Sequence, residues 1–174
     1  MTIKHYTILA TFLVTTLMWT TTSSAASLLG IYAGASVGQA EIENTSPTLD
    51  STTNKVYAGY RILGPIAIEV ARVDLGEYGT APTSIDGIAV DAVLYLPAGL
   101  VNVFAKAGMF DWNVDYNGFL PAESGTDSKF GFGVEYNLLL NIDFRLEWEK
   151  YTGVGGTTIN QDISMISAGV NIAF

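Results

Sequence analysis

The chain has 174 residues, enough for one domain, with 49% hydrophobic residues, 18 glycines, no cysteine and a formal charge of −9. The acidic balance argues against a nucleic-acid partner, and without cysteine an exported form must be held by packing and a closed hydrogen-bond network. The one histidine is His5, which leaves the body of the chain without an imidazole for a triad, a general base or a metal site.

Residues 1–25 read as a secretory signal. Lys4 supplies the positive start, Tyr6 to Trp19 an apolar centre diluted by Thr7, Thr11, Thr15 and Thr16, and Ser23, Ser24 and Ala25 the small residues for cleavage. That centre is too short and too polar for a retained anchor. Residues 26–174 form the expected mature domain, which is more acidic still once Lys4 is lost.

Ser27 to Glu41 sets Ile31, Ala33, Ala35 and Val37 on one face against Tyr32, Gly34, Ser36 and Gly38, the two-residue period of a strand. Residues 42–53 are polar, contain Pro47 and lack a period, which predicts a loop. Asn54 to Leu63 alternates Val56, Ala58, Tyr60 and Ile62 with Lys55, Tyr57, Gly59 and Arg61, and Gly64-Pro65 then forces a tight reversal. The third strand, Ile66 to Gly76, places Ile68 and Val70 opposite Glu69 and Ala71. Arg72 falls on its apolar side, which predicts a bulge or a rim position. After a loop at 77–84, Ile85 to Leu96 sets Ile88, Val90, Ala92, Leu94 and Leu96 against Ala89, Asp91, Val93 and Tyr95, and Pro97-Ala98-Gly99 turns the chain.

Val101 to Asn113 is apolar on both faces, and Lys106 assigns its own face, with Phe104, Gly108 and Phe110, to the polar side. A loop at 114–127 precedes Ser128 to Leu138, where Phe130, Phe132, Val134, Tyr136 and Leu138 alternate with Gly131, Gly133, Glu135 and Asn137. Asn141 to Tyr151 separates its faces most sharply. Ile142, Phe144, Leu146 and Trp148 lie on one side, and Asp143, Arg145, Glu147 and Glu149 on the other. The loop at 152–161 contains Gly153-Val154-Gly155-Gly156 but neither the lysine nor the helix of a phosphate cradle. Asp162 to Phe174 then alternates Ile166, Ala168, Val170, Ile172 and Phe174 with Met165, Ser167, Gly169, Asn171 and Ala173.

Eight strands result, with short connections after the second, fourth and sixth and long ones after the first, third, fifth and seventh. That asymmetry predicts an all-β, eight-stranded antiparallel up-and-down transmembrane β-barrel with short periplasmic turns and long extracellular loops. The bulky face points to lipid, because an eight-stranded interior holds only side chains and the opposite face supplies glycines, small polar residues and single charges. The first and last strands must pair, since an open edge in hydrocarbon leaves backbone groups unsatisfied at several kcal/mol each. Aromatic residues at strand ends, Tyr60, Tyr95, Trp112, Tyr136, Trp148, Tyr151 and Phe174, are candidates for the interfacial girdles, with an inward position the alternative for some of them.

Ile31-Tyr32-Ala33-Gly34-Ala35, Gly59-Tyr60-Arg61, Ala67-Ile68-Glu69, Ala105-Lys106-Ala107-Gly108, Gly133-Val134-Glu135-Tyr136, Arg145-Leu146-Glu147-Trp148 and Ala168-Gly169-Val170 to Phe174 follow one another across the mature chain. On these segments the chain resembles the OmpA-like family of small outer-membrane β-barrels. The resemblance implies a bacterial outer-membrane location, contact with outer-membrane lipid and lipopolysaccharide, insertion by the barrel-insertion machinery and a monomeric state. Phe174 is similar to the family's C-terminal assembly signal, whereas Arg72 stands where an aromatic is commoner. No peptidoglycan-binding domain is expected beyond the barrel.

On this register Arg61, Lys106 and Arg145 point inward with Glu69, Asp91, Glu135, Asp143, Glu147 and Glu149, three bases against six acids. Charges in a narrow, partly dry lumen are costly unless paired, which predicts an interior network with Arg145 bridging carboxylates bidentately. The family resemblance implies that Glu69, Lys106, Glu135 and Arg145 act as a plug that can open. No catalytic, metal-binding or cofactor-binding residue is expected. Glu147 and Glu149 lie side by side on a wall without the cleft that glycosidic chemistry needs. The expected function is therefore structural or one of surface interaction, adhesion-like, with an extracellular ligand reached through the four long loops, the third of which has Trp112 and Tyr116 near its base. The alternative, kept open by the acid excess, is a porin-like, narrow, charge-gated passive pore for ions or small solutes.

Overall fold

A computed structural model describes residues 30–43, 49–78, 83–116, 121–139, 141–155 and 160–174. The expected signal at 1–25 lies outside the described residues, as do the central parts of the four long loops. The strands β1 (Ile31–Ile42), β2 (Leu49–Leu63), β3 (Ile66–Tyr78), β4 (Thr83–Ala98), β5 (Val101–Asp115), β6 (Glu123–Leu139), β7 (Ile142–Val154) and β8 (Gln161–Ala173) close into one antiparallel barrel in sequence order. The expected eight-stranded meander is the fold of the chain. Its seam pairs β1 with β8 from Tyr32 opposite Ala173 to Ile42 opposite Ile163, and the Phe174 amide donates to the Ile31 carbonyl at 2.9 Å. Closure of this kind removes the sheet edge that hydrocarbon would penalise.

One end of the barrel carries tight turns. The chain reverses at Gly64-Pro65 with Gly64 at φ 48°, and at Gly99-Leu100 with Gly99 at φ 77°, left-handed conformations that glycine adopts without steric cost. Pro97 and Ala98, expected in the second of these turns, still belong to β4, opposite Asn102 and Val101. At the other end the strands run further than expected. β2 begins at Leu49, β3 reaches Tyr78, β6 begins at Glu123 and β7 ends at Val154. Much of the sequence expected as loop is strand there because both faces are polar. In β6, outward Ser124, Thr126 and Ser128 alternate with inward Gly125 and Asp127, so hydropathy shows no period while the hydrogen-bond ladder continues.

The outer face changes from apolar to polar at one level around the barrel. Ile88–Leu96 gives way to Asp86 on β4, Phe130–Leu138 to Ser128 on β6, and Ile166–Phe174 to Ser164 on β8. The apolar stretch covers about nine residues, which in tilted strands approaches the roughly 25 Å lipid band of an outer-membrane barrel. Arg72 sits at this level. Its side chain is 73% exposed and pairs with Asp86 at 3.2 Å, and β3 bulges just above it between Asp74 and Gly76. Rim and bulge both account for the charge.

Tyr60, Tyr136 and Phe174 are exposed on the outer face, and Trp148 packs there against Phe130 and Phe132 at 5.8 and 5.1 Å between ring centroids. Tyr95, Trp112 and Tyr151 are the girdle candidates that point inward, and they are buried in the lumen. Strand parity, not nearness to a strand end, decides which way an aromatic ring points.

The lumen accommodates large side chains only where a facing position is empty. A Cβ at Gly59 would overlap the Tyr32 ring, one at Gly34 the Tyr57 ring, and one at Gly125 would lie 2.6 Å from Trp112 Cζ2. Glycine lines the lumen because its neighbours fill the space. Gly59→Ala should overpack the interior and cost about 1–3 kcal/mol, read as a lower urea midpoint in the heated-versus-unheated gel shift. An unchanged midpoint would show that Tyr32 can move aside.

Candidate functional site

Inward side chains stack in three layers along the barrel axis. Nearest the tight turns, Tyr32, Tyr57, Tyr95 and Phe104 pack ring against ring at centroid distances of 5.7 to 6.5 Å. The middle layer is ionic. β7 contributes Arg145, Glu147 and Glu149 at a spacing of two, which places all three on one wall. Glu69 on β3, Asp91 on β4, Lys106 on β5, Lys129 and Glu135 on β6, and Lys55 and Arg61 on β2 complete it. All are buried except Arg61, whose side chain is 31% exposed near the mouth.

Lys55 reaches Glu147 and Glu149 at 2.5 Å each, although β1 and β8 stand between β2 and β7 in the wall, so the bond crosses the lumen. Lys106 contacts Glu147 and lies 2.7 Å from Glu149, 3.3 Å from Glu69 and 3.7 Å from Asp91. Lys129 joins Glu149 at 2.5 Å and Asp91 at 2.9 Å. Arg145 donates to Glu69 through Nη1 at 2.8 Å and Nη2 at 3.4 Å, the bidentate bridge expected of it, and lies 3.7 Å from Glu135. Arg61 lies 3.8 Å from Glu135. Glu149 is the shared point of the layer, one carboxylate among three lysines.

Aromatic rings enclose the cations. The Arg145 guanidinium carbon lies 4.6 Å from the Tyr57 ring centre and 4.2 Å from that of Phe104, and Arg61 lies 4.6 Å from Tyr95, geometry that favours a desolvated cation. The Tyr32 and Tyr95 hydroxyls donate to Glu69 and Glu135 at 3.1 and 3.3 Å. Of the nine residues expected inside, the structure joins eight. Asp143 stands apart at the mouth, where it accepts from Asn137 at 2.9 Å. Lys55 and Lys129 lie beyond the three interior bases expected from the sequence, yet both obey the inward parity of their strands, two residues before Tyr57 and Gly131. With them, five bases meet five acids, and the expected acid excess disappears. Glu147 and Glu149 are engaged by lysines, which leaves neither free for acid–base work.

Above the ions, toward the long loops, Leu75, Ile85, Phe110, Trp112, Tyr151, Ile163 and Met165 fill the lumen, all buried. Phe110 and Tyr151 stack at 4.8 Å, and Trp112 Nε1 donates to Asp127 at 2.8 Å. Trp112 and Tyr116, expected at the base of a binding loop, are buried in this apolar layer, because they continue the inward parity of Lys106. Glu149→Gln would leave three buried ammonium groups without their shared partner. A loss of about 3–5 kcal/mol is expected, measured by urea unfolding in lipid vesicles, and a loss below 1 kcal/mol would mean that the lysines find other acceptors.

Beyond the lipid level, Glu43 holds the seam. It accepts from Lys150 at 2.7 Å and Ser164 at 2.5 Å, and Lys150 also lies 3.2 Å from Asp162. The bond from Lys150, and then that from Ser164, holds the Glu43 carboxyl below its ordinary range. Its stabilising contribution is therefore present above the ordinary carboxylate range and is lost as pH falls through the lowered folded value. Glu43→Gln should melt below the parent at neutral pH, with the two melting temperatures converging in acid.

Three solved barrels share the fold. Neisserial surface protein A is 19% identical over 83% of this chain and 97% of its own, with a TM-score of 0.71. The N-terminal β-barrel domain of Pseudomonas aeruginosa OprF is 14% identical over 84% and 98%, with a TM-score of 0.62. Ail, the attachment invasion locus protein of Yersinia pestis, is 14% identical over 84% and 100%, with a TM-score of 0.51. Likeness at these identities is one of fold. No curated protein matches the chain by sequence. The family match is broader, since residues 10–174 fit the outer membrane protein beta-barrel domain. A closed barrel with an apolar outer band, matched over nearly its whole length, thus belongs to the outer membrane protein beta-barrel domain family and resides in the bacterial outer membrane.

Proposed function

We propose that this protein is a closed, non-enzymatic barrel with a structural or surface-directed role, and that its lumen does not conduct. One observation carries the reading: two seals stand in series, the ionic layer and the apolar layer above it, and both are buried. A passive pore needs a wet path lined by groups that bind an ion weakly enough to release it. Here the charges are spent on one another. The same pairing supports the absence of enzymatic chemistry, as does a body without histidine.

The surface-directed half of the reading draws on the polar strands that rise above the lipid band, together with the adjoining long loops, where an extracellular ligand would be met. Two barrels of the same fold are named for a surface location and for attachment. Export through residues 1–25, a monomeric state, and insertion read from Phe174, exposed at the end of the seam, complete the proposal.

Planar-bilayer recordings test it, with the gel shift as folding control. The parent should be silent, and so should Arg145→Ala, because the apolar layer stays shut. Discrete conductance is expected only from Arg145→Ala/Phe110→Ala, which opens a gap in both layers. Channels from the folded parent would overturn the closed-lumen reading in favour of the narrow pore.

A further inference from the structure

The tight-turn end of the barrel has no polar collar. Residues 62–66, 96–102 and 137–142, which hold the short connections, contain no Asp, Glu, Lys or Arg. Among the described residues Leu100 and Leu63 are the most exposed large apolar side chains, at 73% and 71%, and Leu139 is 64% exposed. The outer tyrosines Tyr60 and Tyr136 stand just above. Only aliphatic side chains follow them outward, Ile62 and Leu63 on β2 and Leu138 and Leu139 on β6.

Two register shifts put the extra leucines there. Arg61 and Asn137 carry the lumen parity of their strands, so strict alternation would turn Leu63 and Leu139 inward as well. The ladder shifts between Arg61 and Leu63 and again between Asn137 and Leu139, and each shift leaves two consecutive apolar residues on the outside. A bulge re-aims a side chain in this way. At the remaining turn Leu100 follows Gly99, whose φ of 77° makes the reversal.

The leucines form a ring rather than a patch, one at each hairpin end, and they continue the lipid-facing wall without a break. Inside the ring, the mouth holds Arg61, 31% exposed, and Asp143. A protein cap would have to lay apolar surface over those charges, whereas a leaflet that surrounds the barrel meets only the leucines. Girdle tyrosines ordinarily meet the head groups. Three further residues of a tilted strand add about 8 Å, the depth of one head-group layer.

We propose that the tight-turn end is an interfacial anchor, with Leu63, Leu100 and Leu139 inserted among the head groups and upper chains of the periplasmic leaflet. This end then offers no face to a periplasmic partner. Every contact with a soluble molecule is left to the long-loop end.

The chain has no cysteine, so a single label is unambiguous. Leu63→Cys, Leu100→Cys, Leu139→Cys and, at an exposed position of the long-loop end, Ser124→Cys each receive a nitrobenzoxadiazole dye. The full chains are refolded into phosphatidylcholine vesicles, with the gel shift confirming folding. Fluorescence is read with head-group spin-labelled phosphatidylcholine in the bilayer, or with iodide on both sides of it. The three turn dyes should emit to the blue of the Ser124→Cys dye, lose more intensity to the spin-labelled lipid and lose less to iodide. Iodide quenching at the turns as strong as at the long-loop position would overturn the proposal and leave the leucines as a docking face for a periplasmic protein. Lipid quenching as strong at the long-loop position as at the turns would overturn it too, by showing that the dye itself seeks the bilayer.

Discussion

Charge balance inside a narrow lumen is the constraint on which the rest of this barrel depends. β7 brings Arg145, Glu147 and Glu149 to one wall, and a narrow lumen tolerates them only if partners arrive from the other walls. Those partners come from β2, β3, β5 and β6, with Asp91 of β4 joined through Lys106 and Lys129, so the charges tie together strands, such as β2 and β7, that share no ladder hydrogen bonds. The glycines follow from the same crowding. Positions such as Gly131 and Gly169 stay empty because Glu149 and Ser36 occupy the space a side chain would need.

Buried ion pairs rarely out-stabilise a well-packed apolar core, so stability alone does not explain this layer. Register does. A slip of one residue in β7 would send Arg145, Glu147 and Glu149 to the lipid face and bring Phe144, Leu146 and Trp148 into the lumen. An arginine at the bilayer midplane costs about 2–4 kcal/mol on a barrel exterior. The ionic layer therefore penalises every slip by an odd number of residues heavily, while the apolar layer above it closes the lumen by ordinary packing.

The exterior is divided just as sharply, but along the axis. Below one level it is aliphatic and aromatic, and above it polar and mostly acidic, with Arg72 and Lys150 both engaged by carboxylates at that boundary. Lumen and wall thus solve different problems with alternate residues of the same strands.

Alternation is a property of a single strand, and so the strand count, the inward and outward parity, the ends that carry tight turns and the face that meets lipid are all legible in the chain. The same parity places Lys55 and Lys129 inside, beyond the three bases expected there. Where both faces are polar, as at 123–128, the period vanishes and strand reads as loop. Tertiary structure alone decided that Lys55 meets Glu147 and Glu149 across the lumen, that Asp143 stays out of the network, and that Phe110, Trp112 and Tyr151 seal the barrel above the ions. These depend on the stagger and closure of eight strands, which set distances between residues far apart in the chain and leave no trace in the local pattern of any one strand.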